Sequence, residues 1–372
     1  MAVSIIIPTK NAGDGFGETL ESMRGQKGFS AELIVVDSGS SDGTVALARE
    51  HGARTISISP ASFNHGETRN LGIREAKGEV CVLLAQDAVP ADDQWLGQLL
   101  APFGDERVAG VTGRQMARPH ADPMGRWEVE WGDRFLGRQI LVREVRDWNA
   151  FWNCNYDERL RTAWFSNVCS AVRREFWSEH PFRPLSYAED LEWAMQGLVS
   201  GRRIVYNPLA VVVHSHSRSA ASLLKRHYVA DKVTRKLLRA PPVEPVVRSD
   251  AEFFSALTLL CADMQELAPP DENGALGRIA RWREGWRGVL AASAALRVQW
   301  QLTGFRQHFR GLCNQILTLE PPPEPAANGR LARQALAYTI GVSTASYYNW
   351  CEARERLSAE MRRLDEALCE GV

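Results

Sequence analysis

The 372-residue chain has no run of about 18 or more uninterrupted apolar residues, so no helix is expected to span a membrane. Its N-terminus enters a strand pattern at once, Ser4-Ile5-Ile6-Ile7-Pro8. The basic region and small-residue cleavage site of a signal peptide are missing. The seven cysteines, at positions 81, 154, 169, 261, 313, 351 and 369, include no CxxC pair. An odd count, with several thiols in apolar runs, predicts reduced cysteines in a cytoplasmic protein and excludes a disulfide frame or zinc site. Neither GxGxxG nor GxxxxGKS/T occurs, so the dinucleotide and P-loop readings fail. A formal net charge of −1 carries no polyanion signal, and no nucleic-acid partner is expected. There is no internal repeat. What remains is ordinary globular composition, 45% hydrophobic and 24% charged, in a chain long enough for one large core and a second unit.

The stretch around which the rest is organised is Glu79 to Pro90, EVCVLLAQDAVP. Val80 to Ala85 is apolar and short enough to be a strand buried on both faces. It stops at Gln86-Asp87-Ala88. An acid at the exit of a buried strand lies where open α/β sheets bind ligands. A divalent cation bridging a diphosphate needs one or two such carboxylates, the remaining ligands being phosphate oxygens and water. Asp87 can equally be a cap of the next turn.

Strand and helix patterns alternate before that stretch. Ser4–Pro8, Glu32–Asp37 and Arg54–Ser59 read as strands. Glu18–Gln26, Val45–His51 and Glu67–Ala76 read as helices. This order predicts an α/β fold with a mostly parallel, doubly wound sheet. Asp92–Phe103 is a further helix and Val108–Met116 a further strand. Ala117 to Arg161 is irregular, with Trp127, Trp131, Trp148 and Trp152, and reads either as an insertion on the acceptor side or as a packed loop with aromatic anchors. Ala188–Val199 is an amphipathic helix with Glu189 and Asp190 in its first turn. Ile204–Val213 is a last strand, closing on His214-Ser215-His216.

Loops at the strand exits are expected to converge: Pro8, Thr9 and Asn11; Asp37 and Ser38; Arg69 and Asn70; Gln86, Asp87 and Ala88. A nucleotide needs an acceptor for a base N–H, an edge for the ring and positive charge near its phosphates. Asp37, the Pro8-Thr9 backbone and Arg69 can supply these. Thr9 and Asn11 can also be turn formers, and Asp37 a helix cap. His65, in the Phe63-Asn64-His65-Gly66 loop, is placed either against sugar and phosphate or in solvent. His214 and His216 alternate at a strand end and point the same way, toward a metal or diphosphate or toward water.

Five motifs in one order resemble the inverting family 2 glycosyltransferases of GT-A fold: SIIIPTKN, VVDSGSSDGT, TRNLG, AQDAVP and AEDLEW, over about residues 1–216. FNHGETRN, AQDAVP and the HSHS ending look most like the bacterial rhamnosyltransferases of surface polysaccharide synthesis. The resemblance implies a nucleotide-sugar donor, dTDP-L-rhamnose, and a lipid-linked glycan acceptor at the cytoplasmic membrane face. It also implies a divalent metal, Mg2+ or Mn2+, on Asp87 with His214 or His216. In the resemblance Asp190 takes the place of the catalytic base, with Glu189 positioning the acceptor. A UDP- or GDP-hexose donor, or a non-catalytic sugar-nucleotide-binding partner of another transferase, are the alternatives. Two departures stand out: Gln86 where many relatives carry a second acid, and Ser38 at the base-binding turn. The helix dipole is expected to hold Asp190 ionised.

Residues 1–216 are taken as the catalytic domain, with 117–161 as its insertion. Residues 217–320 form a basic helical extension, 321–329 a proline-rich linker and 330–372 terminal helices. Gly277 to Leu312 holds seven arginines against one acid, Glu284, and a tryptophan-bearing face. That face either lies on an anionic membrane or packs on the catalytic domain.

Overall fold

The computed structural model describes residues 1–13, 15–28, 30–245, 247, 249–266, 309, 311–313, 315–316, 319 and 328–371. Most of the basic segment from Gly277, and most of the linker 321–329, lie outside the described residues. The chain divides into two compact units: Met1–His120 with Val129–Ser215, and Ala121–Glu128 with His216–Val372.

The first unit is built on one sheet. Its strands are β1 (Val3–Thr9), β2 (Ala31–Asp37), β3 (Arg54–Ser57), β4 (Val80–Leu84), β5 (Val89–Pro90), β6 (Val108–Met116), β7 (Leu141–Arg143), β8 (Cys169–Arg173) and β9 (Arg203–Val213). The strand order is β3-β2-β1-β4-β8-β6-β9-β5, with β7 also on β9. β1 to β4 pair in parallel, as alternating strand and helix patterns predict. β8 then runs antiparallel to both β4 and β6, and β5 and β7 run antiparallel to β9. The sheet is therefore mixed beyond β4. Buried strands of either direction read as the same apolar runs, so pattern alone left this open.

The helices α1 (Phe16–Arg24), α2 (Thr44–Glu50), α3 (His65–Glu75) and α4 (Trp95–Leu100) follow the first strands. The sequence places α4 over Asp92–Phe103, but a 3-10 turn, Ala101–Gly104, takes over its C-terminal end. Pro102 cannot donate the N–H that a longer α-helix needs. α3 lies close on β1 because Gly72 has no side chain: a Cβ there would come 2.3 Å from Ile6 Cγ2. The core runs through Ile5, Ile7, Val35, Val82, Leu84, Trp95 and Val111, all nearly inaccessible. Cys81 and Cys169 belong to this interior, and burial pushes both thiols up to about 12, so they stay protonated. Cys81, Cys154, Cys169, Cys313, Cys351 and Cys369 are free.

Residues 117–161 are more regular than the sequence suggests. They form α5 (Pro123–Leu136), β7, α6 (Trp148–Asn153) and α7 (Tyr156–Ala163). Asp147 and Asn155 cap α6 and α7 by accepting from backbone N–H groups, a signal masked by the density of charge and tryptophan. α8 (Arg174–Glu179) and α9 (Glu189–Val199) complete the first unit.

The second unit is helical: α10 (Ala220–Leu237), α11 (Asp250–Glu266), α12 (Asn328–Glu352) and α13 (Ala359–Cys369), with Ala121–Glu128, which includes the start of α5. α10 and α12 approach closely at Gly341, where a Cβ would meet Leu224 O at 2.4 Å. Phe253 stacks on Tyr347 with centroids 4.1 Å apart. Tyr228 and Lys232 both bond Asp365, and His227 Nε2 lies 2.9 Å from Glu128. No described helix is long and apolar enough to cross a membrane.

Candidate active site

Three groups of polar residues gather at the strand exits of the first unit. The first joins β1 and β2, whose register sets Thr9 beside Asp37. Thr9 Oγ1 donates to Asp37 Oδ1 at 3.0 Å, and Ser38 donates both its N–H and its hydroxyl to Thr9 O. Asp37 also accepts from the Gly39 and Ser40 N–H groups and from the Ser40 hydroxyl. A carboxylate has about four lone-pair sites, so the buried Asp37 is engaged within its own turn. Asn11, at φ 45°, ties the two loops together: its N–H donates to Ser40 Oγ and its Oδ1 accepts from Ser41 N. Asn tolerates this left-handed backbone better than most residues. Pro8, half-buried, closes the strand.

The second group surrounds Asp87. Gln86, in the place of a second acid, accepts from Lys10 N and donates to Lys10 O, joining the β1 and β4 exits. Ala88 is wholly buried beneath them. β5 pairs Val89 with Val213, which sets Asp87 beside His214, Oδ1 to Nε2 at 3.5 Å. Arg118 donates to Asp87 O. Gln115 Nε2 donates to Ser166 Oγ, which turns its Oε1 to His214 Nδ1 at 3.0 Å. An amide oxygen only accepts, so Nδ1 carries a proton, and the ring in its neutral form would present the Nε2 lone pair toward Asp87. A lone pair and a carboxylate facing one another suit a cation between them, and a side chain fixing the far nitrogen is the usual support of a metal-bound His. The donor set therefore fits a divalent ion. His216 lies two residues on, where the second unit's chain begins.

The third group is built on α3 and α9. Asn64 caps α3. His65, its first residue, is exposed and edge-on to Phe63. Arg69 Nη1 donates to His65 O and to Glu189 Oε1, the latter at 2.9 Å. Asn70 is buried and its amide serves protein groups: it donates to Phe182 O and accepts from Phe182 N and Trp177 Nε1. Those bonds hold the segment that leads into α9. Ala188, just before the acids, sits at φ 61°, strain of a kind that clusters at working sites.

Asp190 is half-buried. Its Oδ1 accepts from its neighbour Leu191 N at 2.8 Å and its Oδ2 from Asn167 N at 3.2 Å. Burial, and after it the negative charge of Glu189, pushes its carboxyl up to about 7, against the two N–H donors and Arg69. The expectation that the helix dipole holds it ionised is overturned. A dipole effect of about 0.3–1 kcal/mol at an exposed helix end is outweighed by desolvation and a like charge.

The second and third groups meet through one strand pair. Ala85 N donates to Val168 O at 3.0 Å, just past the end of the β4–β8 ladder. Asp87 lies two residues beyond Ala85, and Asn167, which holds Asp190, is the residue before Val168. Both carboxylates are thus carried at the same end of adjacent strands. Asn167, Gln115 and Arg118 were missed in the sequence. Asn167 is followed by an apolar run, and only an antiparallel β8 brings it to the site.

The model of the family described as glycosyl transferase family 2 matches residues 4–154. The chain is 31% identical over 232 residues to the O-antigen chain rhamnosyltransferase RfbN of Salmonella typhimurium, covering 61% of this chain and 71% of that protein. It is 30% identical over 233 residues to the O-antigen chain rhamnosyltransferase WbaN of Salmonella anatum, covering 60% and 70%. Among solved structures, mannosyltransferase PcManGT from Pyrobaculum calidifontis, in complex with GDP-Man and Mn2+, matches with a TM-score of 0.52. That match is 17% identical and covers 93% of this chain and 87% of the other. The likeness shows the fold, GT-A, which the five motifs imply.

Proposed function

This chain belongs to glycosyl transferase family 2, and from that premise we propose an inverting transfer of L-rhamnose from dTDP-L-rhamnose to a hydroxyl of a lipid-linked glycan. Asp190 carries the inverting reading. A sugar leaves a nucleoside diphosphate as a stable anion, so no proton has to be donated to it. Only the attacking hydroxyl must lose one. An inverting glycosidase needs a general acid and a general base; here a single base suffices. A base works best with a pKa near the operating pH, and Asp190, at about 7, meets that condition.

Asp190 takes the acceptor proton as the hydroxyl attacks the anomeric carbon from the face opposite the diphosphate. Glu189, held by Arg69, keeps the acid pair in register. Asp87, His214 and His216 would hold a divalent ion, Mg2+ or Mn2+, and such an ion would supply positive charge against the departing diphosphate. The Thr9–Asp37–Ser38 turn shapes the nucleoside side, Asn11 fixes its loop, and His65 faces the sugar phosphate. The choice of rhamnose rests on the names of the two Salmonella relatives. A lipid-linked acceptor places the protein at the cytoplasmic membrane face as a peripheral protein, so it should co-sediment with anionic liposomes in low salt.

A thermal-shift series with dTDP-L-rhamnose, UDP-hexoses and GDP-hexoses, with and without Mg2+ or Mn2+, tests the donor, because a ligand of the native state raises stability by mass action. The largest shift should come with dTDP-L-rhamnose plus metal. A larger shift with another sugar nucleotide overturns the rhamnose assignment. Donor binding without transfer to any lipid-linked glycan would leave a non-catalytic partner.

A further inference from the structure

The buried surroundings of Glu189 are more elaborate than a helix-start acid requires. Two donors converge on its Oε1: Arg69 Nη1 at 2.9 Å and Asn167 Nδ2 at 3.3 Å. Asn167 is 1% exposed. Its amide is oriented with Oδ1 accepting from the Ser170 hydroxyl, wholly buried on β8, at 2.9 Å. The NH2 end is therefore the one presented to Glu189. The same residue's main-chain N–H binds Asp190 Oδ2. One asparagine thus touches both acids, through different groups, from a strand end rather than from their own helix.

We propose that Asn167 is a positioning residue that orients Asp190 by its backbone and, with Arg69, holds Glu189 beside it as an anion whose charge sets the proton affinity of Asp190. Glu189 then works through Asp190 and is neither a second base nor a ligand. This rests on the reading of Asp190 as base.

The geometry supports this assignment over a purely structural one. A charge-assisted donor pair on one carboxylate oxygen favours the ionised form. An anion adjacent to a second carboxyl favours protonation of that second group. The charged groups acting on Asp190 are Glu189, which raises its proton affinity, and Arg69, which lowers it less. The other elements packed on α9 include α3, α7, α8, β6 and β9. Their charged and titratable groups include His65, Glu67, Arg69, Arg74 and Glu75 on α3, Asp157, Glu158, Arg159 and Arg161 on α7, Arg174, Glu175 and Glu179 on α8, Arg114 on β6 and Arg203 on β9. Arg114 is paired with Asp133 and Arg203 with Asp105 and Glu144. On α9 itself Glu192 pairs with Arg183.

The test compares the pH profile of kcat/KM in the full chain for wild type, Glu189→Gln and Asn167→Asp. Removing the Glu189 charge should lower the acidic midpoint by about one pH unit or more, so that at pH 6 the variant keeps about fivefold more of its plateau activity than wild type. Asn167→Asp, which sets a further acid against Glu189, should raise the midpoint. If Glu189→Gln does not fold with Arg69 unpaired, Arg69→Met/Glu189→Gln removes both charges, and its midpoint should still fall, since Glu189 outweighs Arg69. Transfer that slows in these variants with an unmoved midpoint overturns the proposal. Carbon-13 titration of the Asp190 carboxyl in the ligand-free protein reads the same coupling without turnover. A titration that shifts as expected in a protein that transfers no sugar would defeat the glycosyl-transfer reading and leave the coupling standing; a titration that does not shift would defeat the coupling alone.

Discussion

Arg69 and Glu189, 120 residues apart in the chain, form an ion pair at 2.9 Å in which each side chain is 9% exposed. A pair this deep gains little net stability over apolar residues, because desolving both charges offsets their attraction. Its value lies in where it fixes Glu189, between α3 and the start of α9. Breaking it one side at a time is a different matter. Arg69→Met should destabilise the protein by about 3–5 kcal/mol by leaving a buried charge alone. Arg69→Met/Glu189→Gln should cost clearly less than the sum of the single changes. Urea unfolding of the three variants measures this, and additive losses would mean that the two groups are not coupled.

Asp190→Asn preserves size while removing the base, and its single carbonyl oxygen can keep one of the two backbone N–H contacts. Transfer should fall by about 10²–10⁴-fold, with donor affinity unchanged within a few fold. Steady-state kinetics together with donor titration by calorimetry separate the two. Normal turnover would remove Asp190 from the chemistry.

The raised pKa of Asp190 also makes a stability prediction that needs no substrate. Its value in the fold, about 7, lies above the ordinary 3.8. Between those values the native state binds a proton that the unfolded chain releases. Stability contributed by this group is therefore full below about pH 4, declines as pH rises toward 7, and is level above that. Asp190→Asn should remove that decline. Denaturation midpoints from pH 4 to pH 8, wild type against variant, are the measurement, and parallel curves would contradict it.

At the proposed metal site, Asp87→Ala or EDTA should suppress transfer by about 10²-fold or more. Full activity in EDTA would show a metal-independent enzyme. Gln115→Leu frees the His214 ring to change tautomer and should weaken metal binding by about 10–100-fold. Half-saturation by Mn2+ reports it, and an unchanged value would mean that Gln115 does not hold the ring.

Much of the candidate site is legible in the chain because it sits at strand exits, and exits are marked locally. The apolar run Val80 to Ala85 ends one residue past the strand Val80–Leu84, and Asp87 follows. Val108–Met116 is a strand with the bounds its pattern predicts. The five motifs sufficed to place the chain in its family, since each is a short, contiguous stretch. The residues that were not legible act through space. Asn167 became part of the site only because β8 turns antiparallel beside β4, and residue pattern does not encode strand direction.

By itself the sequence determined which segments are buried, where they stop and which acids and histidines stand at those stops, because burial and turn chemistry are properties of a few consecutive residues. The tertiary structure alone decided that Arg69 serves Glu189, that Gln115 orients His214, and that Asp190 holds its proton to about pH 7. Each of these depends on desolvation and on charges brought from distant parts of the chain, quantities that no local stretch contains.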